Sequence, residues 1–230
     1  MILYGRNAVH EALRGPRAVR QVWATERAGR EPWLRSASVR AASAEEIERR
    51  CGSPDHQGIC AEVEAYRYAD ADALLAVPDA LIVALDEIQD PQNLGAICRT
   101  AECAGATGVV IPERRSAEVT PAVCKASAGA VEHLAIARVR NLADFLIAAS
   151  GAGAWSYGAA GDAPTDYAQP DYRGKVVLVM GSEGSGLRPR VARSCDQLIA
   201  LPLRGRIESL NVSAAASAVL YEITRQRDAR

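Results

Sequence analysis

Aromatic residues are scarce in this 230-residue chain: three Trp, seven Tyr and a single Phe make up 5% of it. So few flat rings argue against a surface that binds by serial base stacking. Lysine is nearly absent. Lys125 and Lys175 are the only two, so 25 of the 27 basic groups are Arg, whose forked donors suit phosphate. No apolar run approaches the ~20 residues that a bilayer span needs. Residues 1–13 carry no basic flank ahead of a long apolar stretch, so no secretory leader is expected and the chain reads as cytoplasmic. The six cysteines form no C-x-x-C pair and have no His at ligand spacing. That pattern predicts no metal site and six reduced thiols, several of them buried as small hydrophobes.

What remains is the profile of a soluble globular protein of one or two domains, 24.4 kDa, 49% apolar and 24% charged. The net charge of −1 and pI near 6.3 say little about partners. Their distribution says more. Residues 1–50 hold ten Arg and six Glu, a balance of 10 − 6 = +4, and the remaining 17 basic and 22 acidic groups give −5. An anionic partner for the N-terminal part is one reading and a solvated Arg-rich face is the other.

The first segment reads as a small α/β unit. A helix follows Tyr4-Gly5-Arg6-Asn7, a strand is expected over 19–25, helices over 32–42 and 44–50, and a half-buried strand over 59–64. Residues 1–66 are taken as one domain and 67–78 as a linker or connecting helix. Residues 79–230 form a second, more regular domain. Short apolar runs recur at 81–85, 108–111, 134–137, 176–180 and 198–201, with helical stretches over 93–104, 121–128, 142–149, 188–195 and 211–225. Strands alternating with helices imply crossovers and a mostly parallel sheet covered on both faces. Ligands of such sheets sit beyond the carboxyl ends of strands. Attention therefore falls on the segments that follow Leu85, Met180 and Leu201.

After the first of these, Pro91 fits a helix start and Asn93 lies near its cap, with Arg99 six residues on. Capping would explain Asn93 and a surface ion pair Arg99, although an Arg among Ile97, Cys98 and Ala101 is harder to dismiss. The second is the glycine turn of residues 181–187. It fails the P-loop test because Leu187 and Arg188 stand where Lys and Ser/Thr are needed. Glu183 at its centre repels phosphate and suits a ligand offering hydroxyls, an amine or a positive centre. The third opens a small-residue helix with Ser209-Leu210-Asn211. Ser209 and Asn211 have no His/Asp pair of the hydrolase kind.

Together the three resemble the SpoU/TrmH branch of the SPOUT methyltransferases. The matches are N-x-x-x-x-x-R-T-A at Asn93, Arg99, Thr100 and Ala101, G-x-E-x-x-G at Gly181, Glu183 and Gly186, and S-L-N-V-S from Ser209 to Ser213. Tyr4 to Val9 and His56-Gln57-Gly58 look like the extra N-terminal domain of the bacterial ribosomal RNA 2′-O-methyltransferase subgroup. The resemblance implies an α/β fold. Its C-terminal parallel-sheet domain would be threaded into a trefoil knot, and its N-terminal domain would be ribosomal-protein L30-like and bind RNA. It further implies S-adenosyl-L-methionine as cofactor, a homodimer with sites near the subunit interface, and 2′-O-methylation of a guanosine in large-subunit 23S rRNA. Arg99 would act at the ribose hydroxyl, holding phosphate and stabilising the developing alkoxide. Asn93, Glu183, Ser209 and Asn211 would orient it, the nucleotide or the cofactor. Gly181, Glu183, Gly186, Leu201, Leu210 and Asn211 would line the cofactor site. Arg6, Arg14, Arg17, Arg20 and Arg27 are the RNA-binding candidates. A tRNA or antibiotic-resistance methyltransferase, or an RNA-binding protein with a relic site, are the alternatives.

Overall fold

The computed structural model describes residues 1–207 and 209–229. The N-terminal unit contains β1 (Ile2–Tyr4), α1 (Arg6–Arg14), β2 (Val19–Ala24), β3 (Val39–Ala41), α2 (Ala44–Cys51) and β4 (Ile59–Val63). Its four strands pair in the order β1-β4-β2-β3. The segment expected as a helix over 32–42 is instead a single 3₁₀ turn, Pro32–Leu34, followed by edge strand β3. The backbone amides of β3 gain ladder partners on β2, with Val39 opposite Val22, and this outweighs the weak helical preference of an Ala- and Arg-rich stretch.

The connecting segment holds α3 (Ala71–Ala76). It is pinned to the second unit before that helix begins, since the Ala69 amide donates to Ile136 O at 2.8 Å. The second unit then runs β5 (Leu81–Asp86), α4 (Pro91–Cys103), β6 (Gly108–Pro112), α5 (Pro121–Ala126), β7 (Ala135–Val139), α6 (Leu142–Gly151), β8 (Trp155–Ala159), β9 (Thr165–Asp166), β10 (Val176–Gly181), α7 (Pro189–Ser194), β11 (Gln197–Ala200) and α8 (Val212–Asp228). Its seven strands, in the order β7-β6-β5-β10-β8-β11-β9, are paired in parallel throughout. This is the parallel α/β sheet expected from the recurring apolar runs.

Side-chain alternation divides the core. Leu81, Val83 and Leu85 of β5 point to one face with Val176, Leu178 and Met180 of β10, and α4, α5 and α8 cover them. Ile82, Ala84, Val177 and Val179 point to the other face, beneath α3, α6 and α7. Burial on both sides explains why these strands read as unbroken apolar runs. The apolar cluster on the α4 face continues without a break into Leu3, Val9 and Ala12 of the N-terminal unit.

Candidate functional site

The carboxyl ends of the central strands carry the site. α4 begins at Asp90, whose side chain accepts from the Gln92 amide at 3.0 Å. The cap is therefore Asp90, and Asn93 lies inside the first turn, 7% exposed. Freed from capping, Asn93 Oδ1 accepts from Asn211 Nδ2 at 2.9 Å, and the same Nδ2 donates to Glu183 Oε1 at 2.7 Å. Asn211 is itself the cap of α8, its Oδ1 accepting from the Ser213 amide at 2.9 Å and the Ala214 amide at 3.3 Å. One side chain thus starts a helix with its oxygen and ties two other segments together with its nitrogen. A second link joins the same helices further along, Thr100 Oγ1 to Ser217 Oγ at 3.0 Å.

The glycine turn follows β10 and closes on itself. Ser182 N donates to Gly186 O at 3.1 Å and Gly186 N to Ser182 O at 2.9 Å. A Cβ on Gly181 would overlap the Gly186 and Leu187 backbone, so only glycine permits the return. Its far end is anchored by Arg188, which donates to the buried Asp86 carboxylate from Nε at 2.7 Å and from its backbone amide at 2.8 Å. Arg188 Nη1 also lies 3.1 Å from Glu87. The hydrogen bond to Asp86 raises the Arg188 pKa above its ordinary value, against the opposing effect of desolvation.

A cavity of about 280 Å³ opens between these elements. Gly181, Glu183, Gly186, Leu201, Ser209 and Leu210 all line it, together with Met180, Ile199 and Val212. An apolar hollow rimmed by turn backbone and one carboxylate suits a flat, largely apolar ligand with a cationic or hydroxylated part. Ala159, Ala160 and Gly161 also line it. They lie at the end of β8 and just beyond it, a strand whose mixed Trp-Ser-Tyr-Gly sequence gives no apolar run.

Arg99 stands apart. It is exposed on α4 and lines a different hollow with Asn7, Arg14 and Glu102. The structure therefore brings the glycine turn, Ser209, Asn211 and Asn93 together, but within one chain it does not bring Arg99 to their cavity. The five N-terminal arginines separate as well. Arg6 and Arg27 share a hollow with Gln57 and Gly58, Arg14 is exposed, and Arg20 lies on the sheet 3.7 Å from Glu62. Arg17 departs from the expectation of an RNA contact: its side chain is 8% exposed and paired with the fully buried Glu132 of the second unit. That partner lies 115 residues on, out of reach of any local pattern. Asp86 and Arg188 also escaped the motif reading, although an acidic residue closing an apolar strand is a visible signal.

Comparison with known proteins decides the family. Residues 80–221 match the SpoU rRNA Methylase family, and residues 2–69 match the domain described as RNA 2′-O ribose methyltransferase substrate binding. The chain belongs to the SpoU rRNA methylase family. Among its relatives, the putative TrmH family tRNA/rRNA methyltransferase YacO of Bacillus subtilis is 38% identical, over 97% of this chain and 95% of that protein. The 23S rRNA (guanosine-2′-O-)-methyltransferase RlmB of Pseudomonas putida is 39% identical, over 99% and 97%. Among solved structures, the SpoU methyltransferase AviRb of Streptomyces viridochromogenes, in complex with AdoMet, superposes with a TM-score of 0.84 at 26% identity, covering 99% of this chain and 90% of that one. Among the described residues no group of three or more His, Cys, Asp or Glu could hold a metal ion, and no helix is long and apolar enough to cross a membrane.

Proposed function

We propose that this SpoU methylase transfers a methyl group from S-adenosyl-L-methionine to the 2′-hydroxyl of a guanosine in 23S rRNA. The observation that carries the reading is Asn211, whose amide joins Asn93 and Glu183 at the rim of the cavity. Asn93, Glu183 and Asn211, one residue from each of the three motifs, thereby meet in one place. The residues present fit the cofactor: apolar Met180, Ile199, Leu201 and Val212 suit an adenine and a methylene chain, and the exposed Glu183 carboxylate suits an amine, ribose hydroxyls or a sulfonium. When bound, the cofactor supplies an electrophilic methyl on a positively charged sulfur.

The chain's own contribution is alignment and charge placement. Holding a reacting hydroxyl in line is worth ~7–11 kcal/mol in favourable cases. Arg99 offers a forked guanidinium with five donors and no acceptor. Its fork holds the phosphate beside the target ribose and stabilises the oxyanion that develops as the hydroxyl proton passes to solvent water and the methyl moves from sulfur to that oxygen. Arg99 and the cavity occupy separate hollows in one chain, so the reaction needs a second copy, with Arg99 of one subunit facing the cavity of the other. Exposed Leu203, Ile207 and Leu210 beside the cavity, and Tyr221 on α8, are the apolar surface such a homodimer would cover. Arg6, Arg14, Arg20 and Arg27 serve the RNA, and the enzyme works where ribosomal RNA is made into ribosomes, in the cytoplasm.

The test is transfer of tritium from methyl-labelled cofactor into unmodified 23S rRNA and into bulk tRNA, followed by mapping of ribose methylation. Label at one 23S guanosine supports the reading. Label in tRNA alone redirects it, and no label with intact RNA binding marks a relic site.

A further inference from the structure

α4 and α8 pack side by side, and hydrogen bonds join them at three heights. At the cavity end, Asn93 Oδ1 accepts from Asn211 Nδ2 at 2.9 Å. Two turns further along α4, Thr100 Oγ1 lies 3.0 Å from Ser217 Oγ. Beyond that, Thr224 Oγ1 shares its proton between Leu220 O at 3.0 Å and Ala104 O at 3.4 Å. The proton count fixes the direction of the middle bond. Ser217 Oγ gives its one proton to Ser213 O at 2.7 Å. Thr100 is therefore the donor of the pair, its own proton shared with Ala96 O at 3.2 Å. Both hydroxyls are half-buried, and the neighbouring Ala101, Ala104 and Ala216 belong to the apolar core. Small apolar side chains hold two helices together without choosing a rotation, because their attraction has no direction. A bond between two hydroxyls is directional and does choose one.

We infer that Thr100 and Ser217 are positioning residues for methyl transfer: their bond sets the rotation of α4 against α8 and so aims Arg99. The inference rests on the role given to Arg99 above. Arg99 directly precedes Thr100, and adjacent helical residues point about 100° apart. With Thr100 held on Ser217, Arg99 has one outward direction. Its guanidinium has no polar partner among the described residues, and it does not line the cavity of its own chain. Nothing but the setting of its helix therefore directs it. α8 carries Tyr221, exposed on the surface assigned to the second copy. A rotation of α4 on α8 would shift Arg99 relative to that surface, and hence relative to the partner's cavity. The Asn93–Asn211 bond meanwhile keeps the rim of the chain's own cavity in place. Loss of the middle bond should accordingly reduce turnover and leave cofactor affinity alone.

Thr100→Val removes the hydroxyl and keeps the branched shape, whereas Thr100→Ser keeps the hydroxyl. Ser217→Ala removes the bond from the α8 side with a residue that favours helix. Melting temperature, calorimetric affinity for S-adenosyl-L-methionine and single-turnover methyl transfer to a 23S rRNA transcript are measured for each full-length protein. Thr100→Val and Ser217→Ala are expected to melt near wild type and to bind the cofactor unchanged. Their saturating transfer rate should fall by about tenfold, less than the ~10² that a misplacement of ~1 Å can cost. Thr100→Ser should recover most of it. In an Arg99→Ala background Thr100→Val should cause no further loss, because a residue that acts by aiming Arg99 then has nothing to aim. Wild-type rates in Thr100→Val and Ser217→Ala overturn the inference. So do a loss explained by weaker cofactor binding, a loss that multiplies with Arg99→Ala, and full transfer by Arg99→Ala itself. If Thr100→Val does not fold, Ser217→Ala decides alone, with and without Arg99→Ala. A wild-type protein that methylates no RNA removes the functional reading as well. Undiminished transfer by an active enzyme that lacks the bond removes only the positioning role.

Discussion

Arg188 closes on Asp86 across 102 residues of sequence, with Nε at 2.7 Å and the backbone amide at 2.8 Å from the two carboxylate oxygens. Asp86 ends β5 and Arg188 follows the glycine turn of β10, so the pair fastens the free end of that turn to the neighbouring strand. The Asp86 side chain is 0% exposed and that of Arg188 is 43% exposed. Arg188→Met strands a buried carboxylate whose other partners are few. A loss of about 1–3 kcal/mol is expected, since half of the pair is wet, together with weaker S-adenosylmethionine binding. Thermal denaturation and calorimetric titration with the cofactor check both. Unchanged cofactor affinity would separate the pair from the turn's function.

Asn211→Asp keeps the oxygen that caps α8 and replaces the amide nitrogen that reaches Asn93 and Glu183. Carboxylates cap as well as amides do, so the melting temperature should stay close to wild type. The new charge faces the Glu183 carboxylate, and methyl transfer should fall at least about tenfold, equivalent to ~1.4 kcal/mol of lost transition-state stabilisation. Paired melting and initial-rate measurements test this, and a variant that melts early with normal turnover would contradict it.

Arg99→Ala is expected to bind S-adenosylmethionine normally, because Arg99 does not line the cavity proposed for the cofactor in its own chain and its proposed contact across the dimer is to the RNA. Methylation should drop by about 10²–10³, the usual cost of removing one donor aimed at a developing oxyanion. Full activity in this variant would take Arg99 out of the chemistry.

Arg17→Met leaves the Glu132 carboxyl sealed from water without its ion-pair partner. Removing one partner of a buried pair costs about 3–5 kcal/mol, whereas Arg20→Ala, at a side chain 64% exposed, should stay within about 0.5 kcal/mol. The double variant Arg17→Met, Glu132→Met should recover much of the loss. Urea unfolding of the four proteins gives the comparison.

Acid should loosen the same junction. Burial pushes the Glu11 carboxyl up, but the hydrogen bond to His133 and the charges of Arg14 and His10 together hold it below its ordinary value of 4.5. A carboxylate depressed by folding contributes stability that is complete above its unfolded pKa and is lost as pH falls through its folded one. Urea midpoints measured from about pH 6 down to about pH 3 should therefore decline less steeply in Glu11→Gln than in the wild type.

Much of this was legible in the sequence. The runs at 81–85, 108–111 and 176–180 became β5, β6 and β10 because two-sided burial writes itself as consecutive apolar residues. Asn211 was readable as a cap and as a motif residue, and it is both. β8 was not readable: Trp155 is 52% exposed and Ser156 is buried against Asp196, so its composition carries no strand signature. The fate of Arg17 depended on Glu132, and the separation of Arg99 from the cofactor cavity depended on which way α4 turns. Neither is encoded within a window of neighbouring residues.

The position of β10 has a kinetic consequence. It is flanked by β5 and β8, both earlier in the chain, so its insertion completes the middle of the sheet. Pairings this distant in sequence form slowly. Until that insertion is complete there is no hollow behind Gly181, and a partly synthesised chain has nowhere to hold its methyl donor. Affinity for the donor therefore reports whether the last quarter of the chain has packed into place, and a refolding experiment should recover it only in its slowest phase.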